Sequence, residues 1–219
     1  MGTAQTGLVF QARTPIADHR DLVERLTGET ATRFVHADHG RFDIRNHGDV
    51  LVEVFGDVCF VSNNDLVWSA LENSSHDVRH LHASLGSPDL FVAFCHYDSG
   101  GSYGYAIVEH GIRTRTRLQT TGISQLPSLI ENGEPKGFES PWLSALFYFE
   151  DEEDPLQDHV KVFYQGAREV LVPEHMLTSH MLNECLTSFF GVCPWITTLV
   201  PEERFFRCVP KDVGRISKA

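Results

Sequence analysis

Positive charge is scarce in this sequence. Its 219 residues hold 18 Lys and Arg against 30 Asp and Glu, a formal net charge of −12. Nucleic-acid binders draw most of their affinity from Lys and Arg on phosphate, so no nucleic-acid partner is expected. A chain of this sign is drawn to a basic partner instead. Long apolar runs are also missing. None approaches the ~20 residues that a membrane helix needs, and no membrane partner is expected. No charged stretch followed by an apolar run stands at the N-terminus, so a cytoplasmic setting is expected. Cysteines number only five: Cys59, Cys95, Cys185, Cys193 and Cys208. The count is odd and no two stand in C-x-x-C spacing, which argues for reduced thiols and against a disulfide scaffold. H-E-x-x-H and G-K-[ST] are absent too. With them go the commonest zinc-protease and phosphate-loop signatures, and no cofactor is expected.

The clearest pattern that is present covers residues 103–119, Y-G-Y-A-I-V-E-H-G-I-R-T-R-T-R-L-Q. Two β-favouring arms flank Glu109-His110-Gly111, and Gly111 can supply the positive φ of a tight turn. The first arm places Tyr103, Tyr105 and Ile107 on one face. The second alternates Ile112, Thr114, Thr116 and Leu118 against Arg113, Arg115 and Arg117. Period two predicts a hairpin with one packed face, set in the middle of a sheet.

Residues 90–97 are apolar for most of their length and predict a central strand covered on both faces. Further strands are predicted over 7–12, 32–36, 41–45, 50–55, 58–62, 160–164, 169–172 and 204–209, with Gly56-Asp57 as a two-residue hairpin connection. Asp18 can cap a helix that runs to Leu26 and stops at Gly28. Helical spacing recurs over 66–71 and 76–85. Pro173-Glu174 opens the best helix, ended by Gly191. Its stripes Leu177, Met181, Cys185, Phe189 and Leu182, Leu186, Phe190 predict deep burial. Residues 120–138 read as a long loop. The expected fold is α+β: a single domain over 1–219, a largely antiparallel sheet, and helices packed mainly on one face. A minor seam is expected near 150–154 and a loose tail at 211–219.

The pieces S-Y-G-Y-A-I-V-E-H-G-I-R-T-R at 102–115 and G-E-P-K-G-F-E at 133–139 resemble an uncharacterised bacterial protein family. In that family an aromatic strand, a Gly turn and an Arg-bearing strand are similarly followed by a G-E-P…F-E segment. The resemblance covers about a fifth of the chain, and no activity comes with it.

Four residue groups could carry function. His76 and His80, at i and i+4 with His82 nearby, have a spacing used by zinc sites, although no third ligand is fixed. Cys95, His96, Asp98 and His110 surround a glycine-rich turn and are the catalytic alternative. Neighbours on a strand point to opposite faces, so Cys95 and His96 are poorly placed for each other, and His110 or His82 would have to complete a dyad. The row Arg113, Arg115 and Arg117 repels itself unless anions face it, such as Glu131, Glu134, Glu139 or an acidic ligand. Finally, Glu150, Asp151, Glu152, Glu153 and Asp154 follow an aromatic stretch at 141–149. Trp142 and Tyr148 could anchor a partner there while the acids speed its encounter. The expected function is a non-enzymatic binding protein, an immunity- or antitoxin-like partner of a basic protein. The alternative is a small hydrolase or metal-dependent enzyme using residues 81–110.

Overall fold

A computed structural model describes residues 4–34, 42–121, 126–150 and 160–211. Nine strands form one antiparallel sheet. In spatial order they are β2 (Thr30–Arg33), β12 (Glu202–Val209), β3 (Asp49–Phe55), β4 (Val58–Ser62), β1 (Ala4–Gln11), β5 (Leu90–Tyr97), β6 (Ser102–Glu109), β7 (Ile112–Gln119) and β8 (Leu129–Asn132). A second, three-stranded antiparallel sheet runs β11 (Val170–Pro173), β10 (Val160–Gln165), β9 (Leu146–Glu150). The class is α+β, as the pattern predicts. Among the described residues no helix is long and apolar enough to cross a membrane.

β1 and β5, not the β6–β7 hairpin, hold the centre of the large sheet. Both are buried along nearly all their length. Gly7 on β1 lies so close to β4 that a Cβ there would stand 2.3 Å from the Val61 carbonyl oxygen. Successive side chains of β5 then enter two different cores, as the pleat requires. Phe91, Ala93 and Cys95 join one cluster; Val92 and Phe94 join the other.

The first core is covered by α1 (His19–Thr27), α2 (Trp68–Glu72) and α3 (Arg79–Ser84), through Leu22, Leu26, Leu71 and Leu81. Asp18 caps α1 by accepting the Arg20 amide at 2.8 Å, and Gly28 ends it at φ +73°. The second core is covered by α5 (Leu177–Phe190) and α4 (Ser140–Leu143), with Phe163 and Val172 of the small sheet. Helices therefore lie on both faces, where the pattern predicts mainly one. Strands that are apolar on both sides cannot leave either side open to water. The small sheet contributes to the same core as α5, across the seam expected near 150–154.

Three other expectations change. Within the supposed 120–138 loop, Leu129–Asn132 form β8 and pair with β7. Residues 42–45 form no strand. His76 lies outside α3, which begins at Arg79. Residues 35–41, 151–159 and 212–219 lie outside the described set, and with them the acids at 151–154 and most of the expected tail.

A bulge decides where the arginines go. Ile107 pairs with Arg115 but Val108 pairs with Arg113, so Thr114 is an extra residue on β7. One inserted residue reverses the phase of the alternation. Arg113 turns toward α2, and Arg115 and Arg117 turn toward α5.

Candidate functional site

The arginines are consumed by the fold. Arg115 Nε donates to both carboxylate oxygens of Glu139, at 3.0 and 3.1 Å, and its terminal nitrogens reach Glu131 at 2.6 Å and the Gly133 carbonyl at 3.0 Å. Arg117 donates to Glu131 at 2.6 Å and to the Thr178 hydroxyl at 3.0 Å, which ties the 131–139 arm to α5. Arg113 donates to the carbonyls of Ala70 (2.6 Å), Asn73 (2.8 Å) and His76, at the C-terminal end of α2. The expected docking of an acidic arm thus holds for two of the three. None of the three presents an open guanidinium face to a ligand.

The catalytic candidates do not meet as a group. Cys95 is fully buried against the first core, and burial pushes its thiol well above the ordinary range. His110 occupies the turn after β6, exposed, at φ +50°, with Nδ1 3.5 Å from Asp89. It stands at the opposite end of the β5–β6 ladder from His96, roughly 20 Å of strand away. His82 donates Nε2–H to the Pro88 carbonyl at 2.9 Å and stacks on Phe91. No Cys–His dyad results.

His96 and Asp98 do come together, with a residue that the sequence did not single out. His96 Nε2 lies 3.1 Å from Ser179 Oγ in the first turn of α5, and Nδ1 lies 3.6 Å from Asp98 Oδ1. Trp195 stacks on the imidazole at 4.3 Å, and Tyr103 meets its edge at 5.2 Å. Burial holds the ring below its usual pKa, while Asp98 opposes that shift. This cluster is one end of a polar band across the second face of the sheet. Gln5 is the cross-strand neighbour of His96. Its amide donates to Glu53 at 2.7 Å and to Ser62 at 2.9 Å. Burial raises the Glu53 carboxyl to about 7. Buried, perturbed titratable groups gathered in one place mark a candidate site for chemistry.

His76 and His80 line one cavity of about 340 Å³ together with His47, Asp65 and Glu29. His47 is already engaged, Nδ1 to Asp65 at 2.7 Å. Among the described residues no three His, Cys, Asp or Glu side chains are placed to hold a metal ion. Because His76 precedes α3, the shared helix face that suggested a site does not exist.

Neither of the two expected anchors, Trp142 and Tyr148, is exposed. Trp142 is only 1% exposed, with Nε1 donating to Glu184 at 2.9 Å, so it is core. Its helical context in α4 turns it inward. On the neighbouring edge strand β9, Leu146, Phe147 and Phe149 are 66%, 48% and 59% exposed, and Leu171 of β11 is exposed with them. Tyr148 is half-buried under the Arg168 guanidinium at 4.8 Å. Lys161 lies 4.3 Å over the Phe147 ring and 3.6 Å from Glu174. Glu150 is exposed at the end of β9.

Compared with family models, curated proteins and solved structures, the chain matches none.

Proposed function

We propose that this protein binds a basic protein through the small sheet β9–β10–β11. The observation that carries the reading is the exposure of Phe147 and Phe149 on one face of an edge strand, their rings 5.7 Å apart. Natural edge strands are shielded by Lys, Pro or a bulge; the sequence L-F-Y-F-E of β9 has none of these. A contiguous apolar patch with charge beside it is the composition of a docking surface. The charge is negative: Glu150 closes the strand, and Asp151, Glu152, Glu153 and Asp154 follow it in sequence. Lys161 and Arg168 also lie over rings of this sheet, and Lys161 is offset by Glu174 at 3.6 Å. An acidic protein capping a basic one is the immunity- or antitoxin-like form of this reading.

Affinity capture from the protein's own cell, followed by association kinetics at two salt concentrations, tests it. The expected result is a basic partner whose association slows as salt rises, because screening weakens steering between opposite charges. The double variant Phe147→Ser, Phe149→Ser should lose that partner. Capture unchanged by the double variant overturns the reading.

A further inference from the structure

We infer that Ser179 is the nucleophile of an acyl-transfer site, with His96 as its base and Asp98 as the group that orients His96. The inference is independent of the small sheet. It replaces Cys95 and His110 in the hydrolase alternative with residues that the fold brings into reach of one another.

Three separate elements supply the three side chains: the end of β5, the turn that follows it, and the first turn of α5. Ser179 and His96 lie 83 positions apart in sequence and 3.1 Å apart in space. Each ring nitrogen of His96 faces one partner, Nε2 the hydroxyl and Nδ1 the carboxylate, which is the division of labour that a serine nucleophile requires. The 3.6 Å between Nδ1 and Asp98 is longer than a hydrogen bond. Such contacts commonly tighten when substrate binds. His96 is nine-tenths buried, yet its Nδ1 has no hydrogen-bond partner in the resting arrangement. A buried donor in that condition is costly, and a small approach of Asp98 would satisfy it.

The surroundings suit the role. The Tyr103 edge holds the plane of the imidazole, while the Trp195 indole covers the ring and is held there by its Nε1–H to Asn183 at 2.8 Å. Burial keeps His96 neutral near pH 7, the state in which it can accept a proton. Ser179 is the third residue of the 14-residue helix α5, near the positive end of its dipole; the two amides before it are already engaged, Leu177 N–H with the Glu174 carbonyl and Thr178 N–H with Gln119 Oε1 at 3.4 Å. Trp195, Tyr103 and Met176 make the neighbourhood apolar, so the substrate class is an uncharged ester with an apolar acyl group. Ser179 is only 3% exposed, and substrate reaches it by displacing the Trp195 indole.

The chemistry balances in two halves. Oγ attacks the acyl carbon as its proton passes to His96 Nε2. The ester C–O bond breaks, and the alcohol leaves with that proton. Water then repeats the sequence on the acyl-serine, releasing a carboxylic acid and restoring the hydroxyl.

A fluorophosphonate probe, with adducts read by intact mass and peptide mapping, tests the site on the full chain. The expected result is one adduct, on Ser179, that vanishes in Ser179→Ala and forms at least about 100-fold more slowly in His96→Gln. Asp98→Asn should shift the pH profile of labelling, and Trp195→Ala should accelerate labelling several-fold by opening the approach. Circular dichroism identifies which variants remain folded. Labelling that persists in Ser179→Ala overturns the proposal. So does the absence of any Ser179 adduct in both the folded parent and folded Trp195→Ala. The Phe147→Ser, Phe149→Ser double variant should label as the parent does, which separates this outcome from that of the docking reading.

Discussion

Arg115 and Glu139 close an ion pair that is shut away from solvent, the two side chains 3% and 0% exposed. The Tyr105 hydroxyl donates to the same carboxylate at 2.6 Å, and the Lys136 backbone amide donates to it at 2.6 Å. Glu139 therefore accepts from three elements at once: β7, β6 and its own arm. Removing the Glu139 charge leaves buried Arg115 with one carboxylate partner, the half-exposed Glu131 at 2.6 Å. Glu139→Gln should therefore fall at the lower end of the cost of breaking a buried pair, about 3 kcal/mol in urea unfolding. Glu131→Gln, at a half-exposed position, should cost less. A loss below ~1 kcal/mol for Glu139→Gln would show that the pair is no anchor, since that is the range of exposed pairs.

Gly133 makes the same arm possible by a different route. It has φ +78°, and a Cβ there would stand 2.0 Å from the carbonyl oxygen of the bulge residue Thr114. Gly133→Ala should be destabilising by at least about 1–3 kcal/mol, the cost of left-handed backbone in a non-glycine residue. The same clash should displace the Gly133 carbonyl from Arg115. Thermal unfolding checks it; a melting temperature equal to the parent's would contradict the geometry.

What was legible in the sequence was local. The cap at Asp18, the stop at Gly28, the Gly56-Asp57 turn, the apolar β5 and the striped α5 each carry their signal within a few residues. What was not legible depends on distant partners. β8 shows only because it pairs with β7, and its own residues are mostly exposed. The bulge at Thr114 leaves the alternation of 112–118 intact on paper while sending Arg113 and Arg115 to opposite faces. β12 enters between β2 and β3 from the far end of the chain. Trp142 reads as a surface anchor until α4 turns it toward Glu184. Ser179 stands in an apolar helix stripe, and nothing near it in sequence points to His96.

The thiols offer a simple check on core packing. All five cysteines are free and buried, and burial pushes Cys59 and Cys193 up to about 12. A thiol must ionise and be reached to react. Ellman's reagent at pH 8 should find no reactive thiol in the folded protein and five in guanidinium. Rapid reaction of even one thiol before unfolding would place that residue at the surface.

Glu53 should make the folded protein less stable as the pH rises. Burial is the main cause of its raised pKa, with the like charge of its cross-strand neighbour Glu203 adding to it and the Gln5 amide opposing it. The folded state releases this proton near pH 7; the unfolded chain releases it near the ordinary value of 4.5. Between those values the folded state holds more protons than the unfolded one, so stability falls as the pH climbs from about 4.5 to 7, and the loss persists above 7. Its size is on the order of 3 kcal/mol. In Glu53→Gln the amide oxygen can still accept from Gln5, and no charge is buried at any pH. The variant should lie within about 1 kcal/mol of the parent near pH 5 and exceed it by roughly 3 kcal/mol at pH 8. Burial lowers His19 and His96, which gives both proteins a slope of the opposite sign, so the difference between the two proteins isolates Glu53. Urea unfolding of both proteins at pH 5 and pH 8 measures that difference. If the gap between them is the same at both values, Glu53 carries no buried charge and the polar band beside His96 is open to water.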